Sequence, residues 1–299
     1  MIIYGNVVAE GKTKILRESS DPSLVYVTQK DDITAADGAM HDVIDGKAIL
    51  ATTTTCNVFR LLEANGVPTA FKGRIDDKTF LAQLCTMYPL EVVVRREGAH
   101  GSYLDRNPHL EKDHVFPELL VEFFLKTKGK VWHEVKSGRV HTLIKDDPLI
   151  EFNFSSKEIK LFYPGHNSRE RLTVPKDVLD ALVKKDPFLI LPCDEVFENP
   201  DNFWELVEMT TIAFKAFSIL EEAWRSLGIK LVDFKVEFGV GPDGRLLLAD
   251  VIDNDSWRLV GSDGRYMDKQ RYRDGGNLNT VTQLYREVAK LTGQFVLPS

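Results

Sequence analysis

Asp233, Lys235 and Glu237 alternate with Phe234, Val236 and Phe238, so a pleated strand turns all three ionisable groups to one face. Gly241-Pro242-Asp243-Gly244 follows as a turn, with Pro fixing φ and Gly supplying a positive φ. The return strand, Leu246-Leu247-Leu248-Ala249, runs into Asp250, Asp253 and Asp255. With Val240 and Arg245 paired across the turn, Lys235 lies opposite Asp250 on the same face. Carboxylates and a lysine converging on a sheet suit a magnesium ion and a phosphate chain, since hard cations take oxygen ligands. The competing reading is an ordinary antiparallel face whose charges meet water. Three aspartates within six residues weigh against it, because their mutual repulsion is relieved by a cation or a basic ligand.

Gly11-Lys12-Thr13 invites a P-loop reading that the spacing rejects. The pattern needs Gly at position 6, where Asn6 stands, and Gly5 is one residue out. Ile15-Leu16 is also strand-like, whereas a P-loop opens a helix whose N-terminus binds phosphate. A glycine turn between two strands can instead lie over phosphates as a flap, with Lys12 and Lys14 as point charges; on pattern alone a plain hairpin is the commoner reading of such a turn. Arg95 and Arg96 end a strand, and Gly98, Gly101 and Ser102 follow. Arginine forks match phosphate bidentately and glycines let backbone N–H groups approach an anion, although a charged strand end is the simpler alternative. His41, His100, His133, His141 and His166 have no metal-ligand spacing, and Ser102 lacks the nucleophile elbow of a hydrolase.

The elements that must position these groups fall into two parts. Residues 1–88 read as strands with one helix: a hairpin from Val7 to Arg17 pivoting on Gly11, strands at Leu24–Thr28, Val67–Lys72 and Phe80–Leu84, and a helix from Gly46 to Asn65 stopped by Gly66. Met87-Tyr88-Pro89 crosses into a strand at Glu91–Arg96. Residues 119–125 form a buried strand, and 127–172 are polar, with hairpin-like stretches at Lys130–Val135 and Val140–Lys145. Asn199-Pro200-Asp201 opens the longest helix, whose apolar stripe runs from Phe203 to Leu227 before Gly228. A last helix spans about Asn279 to Thr292. The expected fold class is α+β, a strand-rich N-terminal lobe over 1–88 and a mixed α/β C-terminal lobe over 89–299, with an ATP cleft between them and an insertion at about 127–200.

At 299 residues the chain can bury a sizeable core. Its 38 basic and 45 acidic residues give a net charge of −7, which disfavours nucleic acid as a partner. Cys56, Cys85 and Cys193 are odd in number and contain no C-x-x-C, implying a reducing compartment with neither disulfides nor a zinc site. The N-terminus has no basic region ahead of an apolar run, and no stretch approaches the ~18 apolar residues that span a bilayer. A cytoplasmic protein is expected.

Five blocks, in order, resemble one family. They are Glu10-Gly11-Lys12-Thr13-Lys14, Arg95 through Ser102, Phe123-Phe124-Leu125-Lys126, Asp233 through Leu259, and Asp268-Lys269-Gln270 with Tyr272-Arg273-Asp274. Together they resemble the SAICAR synthetases, and most of all the animal form that is fused to a carboxylase, a second domain with no counterpart here. The resemblance covers about 10–126 and 203–292. It implies an ATP-dependent ligase of purine biosynthesis joining L-aspartate to 4-carboxy-5-aminoimidazole ribonucleotide through an acyl phosphate, with Mg²⁺ as the metal. It implies that Gly11, Lys12, Thr13, Lys14, Lys235 and Glu237 contact ATP, and that Glu237 and Asp250 hold the metal. Lys235, Glu237 and Asp250 would be catalytic. Asp37, in the Asp31–Gly38 loop, would face the substrate site with Lys126, Asp255, Arg258, Lys269 and Arg273. Ser102 and one of the two arginines would hold the 5′-phosphate; counting from Glu91 favours Arg95, and counting back from Ser102 favours Arg96. A homo-oligomer is expected, with no membrane contact. A small-molecule kinase of similar architecture and a non-catalytic nucleotide-binding protein are the rival readings, and ADP release with and without aspartate separates all three.

Overall fold

A computed structural model describes residues 4–35, 40–99, 103–107, 109–143, 146–153, 155–162, 187–197 and 204–298. Asp37, Ser102, His100, His166 and the helix start at 199–201 lie outside the described residues. The chain forms two compact units, Met1–Met87 with Thr211–Ser299, and Tyr88–Thr210. The first therefore joins residues from both sides of the expected boundary at 88.

The N-terminal part of the first unit carries β1 (Val7–Glu10), β2 (Lys14–Glu18), β3 (Leu24–Gln29), β4 (Asp32–Ala35), β5 (Met40–Val43), α1 (Lys47–Ala64), β6 (Phe71–Arg74), β7 (Thr79–Gln83) and β8 (Thr86–Met87). Five of these strands form an antiparallel sheet in the order β1-β2-β3-β7-β6. Along β3 every second side chain is buried, Val25, Val27 and Gln29, as period 2 requires of a half-covered sheet. Helix α1 supplies the cover: Phe59 stacks on Phe71 at 5.6 Å and meets Phe80 at 6.4 Å. Its run of four threonines is poor helix-forming sequence, but Thr52, Thr54 and Thr55 are buried, and packing overrides propensity. Asp31–Gly38, expected as a loop facing the substrate site or as a capped turn, contributes β4 to the β4–β5 hairpin, with Ile33 opposite Asp42. Ile33 packs in a cluster with Tyr272, Val281 and Tyr285.

The second unit carries β9 (Leu90–Glu97), α2 (Tyr103–Arg106), β10 (Val115–Leu125), β11 (Val131–His133), β12 (Val140–Thr142), β13 (Leu149–Asn153), β14 (Glu158–Phe162) and β15 (Leu189–Pro192). Antiparallel pairing orders five of them β9-β10-β13-β14-β15. The β11–β12 hairpin is tied down by the Glu195 carboxylate, which accepts the Val135 N–H at 2.5 Å, and by a Lys136–Asp194 ion pair.

Helix α3 (Trp204–Ser226) leads into β16 (Lys230–Val240), β17 (Leu246–Ala249), β18 (Trp257–Val260), α4 (Gln270–Arg273) and α5 (Leu278–Thr292). Phe217 of α3 meets Phe234 edge-on at 5.3 Å, and Trp224 meets Trp257 at 5.4 Å. Helix α5 starts with an Asn277 side chain accepting the Asn279 N–H and packs on α1. None of the described helices is long and apolar enough to cross a membrane.

Two expectations for the β16–β17 hairpin are corrected. Gly241 donates its N–H to the Arg245 carbonyl at 2.9 Å, so Gly241 to Arg245 forms the connection and Val240 pairs with Leu246. The register is one residue from that expected, and Lys235 does not lie opposite Asp250. The ladder ends at Glu237–Ala249, and the Lys235 N–H instead reaches the Ser256 carbonyl at 2.6 Å. Nor is the charged face of β16 open to water: Asp233 and Glu237 are both buried.

Candidate functional site

A carboxylate inside a core needs a partner, because its desolvation is otherwise uncompensated. On β16 each buried acid has one. Asp233 accepts from Arg258 Nη1 at 2.6 Å across the β16–β18 pair, and Glu237 accepts from Lys235 Nζ at 2.8 Å. Asp250 follows directly after β17 with φ +63°, an αL conformation uncommon for a side chain other than Gly, Asn or Asp. That turn takes Asp250 out of the ladder, and its carboxylate makes an ion pair with Lys14. Lys14 opens β2, just beyond a tight turn closed by the Gly11 N–H on the Lys14 carbonyl at 2.9 Å. The turn thus brings two expected nucleotide ligands to this place: Lys14 on Asp250, with Lys12 exposed beside it.

The loop after β17 builds a second cluster. Ser256 Oγ donates to the Val251 carbonyl, the Ser256 N–H to the Asp253 carbonyl, and the Asp255 N–H to Asp253 Oδ1 at 2.8 Å. So held, Asp255 accepts the Tyr285 hydroxyl on Oδ1 at 2.5 Å, while Lys47 and Lys269 each place Nζ 3.5 Å from Oδ2. Lys47 is the first residue of α1, and its side chain is 1 % exposed; its ammonium also lies 5.5 Å from the centre of the Tyr285 ring. Burial opposes the charge on Asp255, but Lys47, Lys269 and the Tyr285 hydroxyl outweigh it and hold the carboxyl well below the usual range. Asp253, buried beside the charged Asp255, is pushed up. Lys47 is itself raised, the attraction of Asp255 and Asp253 exceeding the cost of burial, whereas burial wins at Lys269 and lowers it.

Asp268, immediately before Lys269, is fully buried and accepts two backbone N–H groups, from Leu259 of β18 at 2.6 Å and from Gln270 of α4 at 2.7 Å. It fixes the start of α4, and with it the approach of Lys269 to Asp255. Arg273, at the other end of α4, donates to Gln270 Oε1 at 3.2 Å. Burial pushes Asp268 up to about 7, against the two N–H donors and the Arg258 and Arg273 guanidinium groups. A carboxyl raised in the folded state binds more protons there than in the unfolded chain. It therefore erodes stability as pH climbs from its unfolded value of 3.8 toward 7, and not beyond. Asp268→Asn removes that titration and one acceptor oxygen. Its Tm should lie below wild type at pH 5 and change less than wild type between pH 5 and 7, which thermal melts across that range read directly.

In the second unit, Arg95 on β9 is buried and donates from Nε to Glu122 Oε2 at 2.7 Å. Arg95 sits opposite Leu120, so Glu122 is its diagonal neighbour on the same face of the pair. Arg106 grips the same carboxylate bidentately, at 2.5 and 2.7 Å, and stacks over Tyr103 and Phe124. Burial opposes ionisation of Glu122, yet the two guanidinium groups hold it below the ordinary glutamate range. Arg96 points the other way on the pleat and is partly exposed; Lys126 is exposed just past β10.

Lys14, Lys235, Glu237, Asp250, Asp255, Arg258 and Lys269 thus belong to the first unit in linked pairs and clusters, and Arg95 to a buried cluster of the second. Sequence reading missed Lys47, Tyr285, Glu122 and Arg106 as members of these clusters, and named Asp253 and Asp268 only within their motifs, without a role. Tyr285 falls on the apolar stripe of α5 with Val281 and Val288, which reads as core. Gly46-Lys47 at a helix start was the one available signal for Lys47. Two carboxylates, Glu237 and Asp250, are a donor set suited to Mg²⁺, which takes one or two carboxylates with substrate phosphates and water completing its shell. No larger group of His, Cys, Asp or Glu able to hold a metal occurs among the described residues.

A sequence profile described as SAICAR synthetase matches residues 7–148 and 193–291, leaving 149–192 outside the match. Phosphoribosylaminoimidazole-succinocarboxamide synthase of Chloroflexus aggregans is 38% identical over 97% of this chain and 97% of its own. The multifunctional protein ADE2 of Gallus gallus is 35% identical over 98% of this chain and 57% of its own length. Among solved structures, a SAICAR synthetase (Type-2) in complex with ADP superposes with a TM-score of 0.67 at 27% identity, covering 97% of this chain and 99% of that one.

Proposed function

The chain belongs to the SAICAR synthetase family, and we propose how its residues divide the family's work. It is an ATP-dependent ligase of purine biosynthesis that joins L-aspartate to 4-carboxy-5-aminoimidazole ribonucleotide. A carboxylate is a poor electrophile. An oxygen of the imidazole carboxylate attacks the γ-phosphorus of ATP, the bond to ADP breaks, and an acyl phosphate forms. The aspartate nitrogen, having lost a proton, then attacks the acyl carbon; the carbon–oxygen bond breaks, inorganic phosphate leaves and the amide remains. Little covalent chemistry falls to the protein, which has to bring anions together and neutralise them.

Lys12, Lys14 and Lys235 neutralise the ATP phosphates, with Gly11 and Thr13 giving the flap its close approach. Glu237 and Asp250 would hold Mg²⁺, which would supply charge neutralisation at the ATP phosphates. The observation that carries this assignment is the pairing of each carboxylate with a lysine, Glu237 with Lys235 and Asp250 with Lys14. In such pairs the lysines are already placed to follow phosphate oxygens while the carboxylates turn to the cation. Asp255, Arg258, Lys269 and Arg273 bind substrate carboxylates and the ribonucleotide, as do Asp37, Ser102 and Lys126. Arg95 is assigned to the ribonucleotide phosphate, aimed by Glu122. The small negative net charge favours these small-molecule partners over nucleic acid. We further propose a cytoplasmic homo-oligomer, which sedimentation of the purified protein tests.

The function is tested by ADP release in the presence of ribonucleotide. Release that depends on added aspartate supports the ligase; release without it would make the protein a kinase, and none at all a nucleotide-binding protein without turnover. Arg95→Ala should raise the ribonucleotide KM much more than Arg96→Ala, since losing a buried charged contact costs on the order of 2–4 kcal/mol. A larger effect from Arg96→Ala would reassign the phosphate to that residue.

A further inference from the structure

With 1 % of its side chain exposed, Lys47 turns its ammonium to Asp255 and the Tyr285 ring, inside the cluster assigned above to substrate binding. Two lysines share one acceptor there: Lys47 and Lys269 each lie 3.5 Å from Asp255 Oδ2. They differ in access, since the Lys269 side chain is 12 % exposed. Tyr285 takes the other oxygen of Asp255, and its ring lies beneath the Lys47 ammonium. Asp253, buried in the same loop, adds a second carboxyl to the negative side of the cluster. Take Lys47 away and, among the described residues, Lys269 is the lysine left at 3.5 Å from Asp255 Oδ2, with the Arg273 charge also acting on that carboxylate.

We propose that Lys47 is a positioning residue, the internal counter-ion of Asp255, which leaves the Lys269 ammonium available to a carboxylate of the amino-acid substrate. The proposal rests on the ligase reading of this site. A buried carboxylate holds its cation more tightly the fewer partners it has, because Coulomb attraction is strong where water is excluded. With Lys47 in place, Asp255 is satisfied from below by Lys47 and from the side by Tyr285, and a substrate carboxylate competes for Lys269 against an acid that is already neutralised. Without it, Lys269 is drawn fully onto Asp255 and the incoming carboxylate meets a closed ion pair. The defect falls on the amino acid, because within the set assigned to substrate carboxylates and ribonucleotide the proposal gives Lys269 to the amino-acid carboxylate, the ribonucleotide phosphate being assigned to Arg95, and the ATP-phosphate lysines belong to the separate pairs at Asp250 and Glu237.

Initial rates with each of the three substrates varied in turn test this. Lys47→Met should raise the KM for L-aspartate at least tenfold, with those for ATP and ribonucleotide changing less than threefold. Tyr285→Phe removes only a hydroxyl and should fold; it should raise the aspartate KM about threefold, because Asp255 then leans harder on both lysines. Should Lys47→Met fail to fold, Tyr285→Phe decides. An unchanged aspartate KM in the folded variants, or an equal rise in all three KM values, would overturn the proposal and leave Lys47 a purely structural ion. No aspartate-dependent ADP release from the unmodified protein would overturn the site reading itself, and is seen before any variant is made.

Discussion

Asp250→Asn should fold normally and turn over at about one-thousandth of the wild-type rate or less, a loss of ~4 kcal/mol of transition-state stabilisation. The substitution is unusually clean. Asp250 has φ +63°, and Asn is among the few residues that accept that conformation without strain. Size, shape and one acceptor oxygen survive, and only the negative charge goes. On the proposed metal assignment two consequences follow: the cation loses half of the charge that the two carboxylates would supply, and Lys14 loses the Asp250 carboxylate. A neutral amide is a far weaker ligand for a hard cation than a carboxylate. Turnover should recover partly at high Mg²⁺, and thermal melting should match wild type within a few degrees. Near-normal turnover at sub-saturating Mg²⁺ would sink the metal assignment.

Much of the local structure around the candidate site was legible because its signals are short-range. Alternation along β16, the Gly-Pro-Asp-Gly turn and the aspartates after β17 are short-range patterns that backbone geometry reads directly. The Gly11 turn and the α1 stop at Gly66, with φ +70°, are of the same kind. What escaped is non-local. The register slipped by one because Gly241 itself lies inside the connection, and nothing in the sequence says whether Val240 pairs with Arg245 or with Leu246. Strands β13, β14 and β15 are only four or five residues long and lie outside the elements read from the sequence; they pair with one another. Lys47 reads as an ordinary first-turn lysine, since only the fold brings a partner 208 positions away, Asp255, to its ammonium. Residues 211–299 join the N-terminal strands through contacts such as Lys14–Asp250 and the bridge between Thr69 and Leu248, which no linear boundary can express. Arg95 and Arg96 differ only in the pleat, and the structure assigns the buried side to Arg95 and the partly exposed side to Arg96.

Glu122→Ala should cost about 3–5 kcal/mol of stability, the expected penalty for removing one member of a buried ionic cluster. The asymmetry of the cluster gives the argument its force. One carboxylate serves two guanidinium groups, Arg95 through Nε and Arg106 through both terminal nitrogens. Deleting either arginine leaves Glu122 neutralised by the other, whereas deleting Glu122 takes the shared carboxylate from both cations beside Tyr103 and Phe124 on the strands β9 and β10. The order of stability should therefore be wild type, then Arg95→Ala, with Glu122→Ala last. Glu122→Gln should fall between the two, since it keeps the volume and loses the charge. The pH dependence has a fixed sign: with its folded pKa below the ordinary value of 4.5, the Glu122 contribution is fully present above about that pH and is lost as pH falls through the folded pKa. Urea melts at pH 7 and pH 4 measure both effects. If Arg95→Ala proves as damaging as Glu122→Ala at pH 7, the carboxylate is not the keystone of the cluster, and the aim of Arg95 must come from β9 alone.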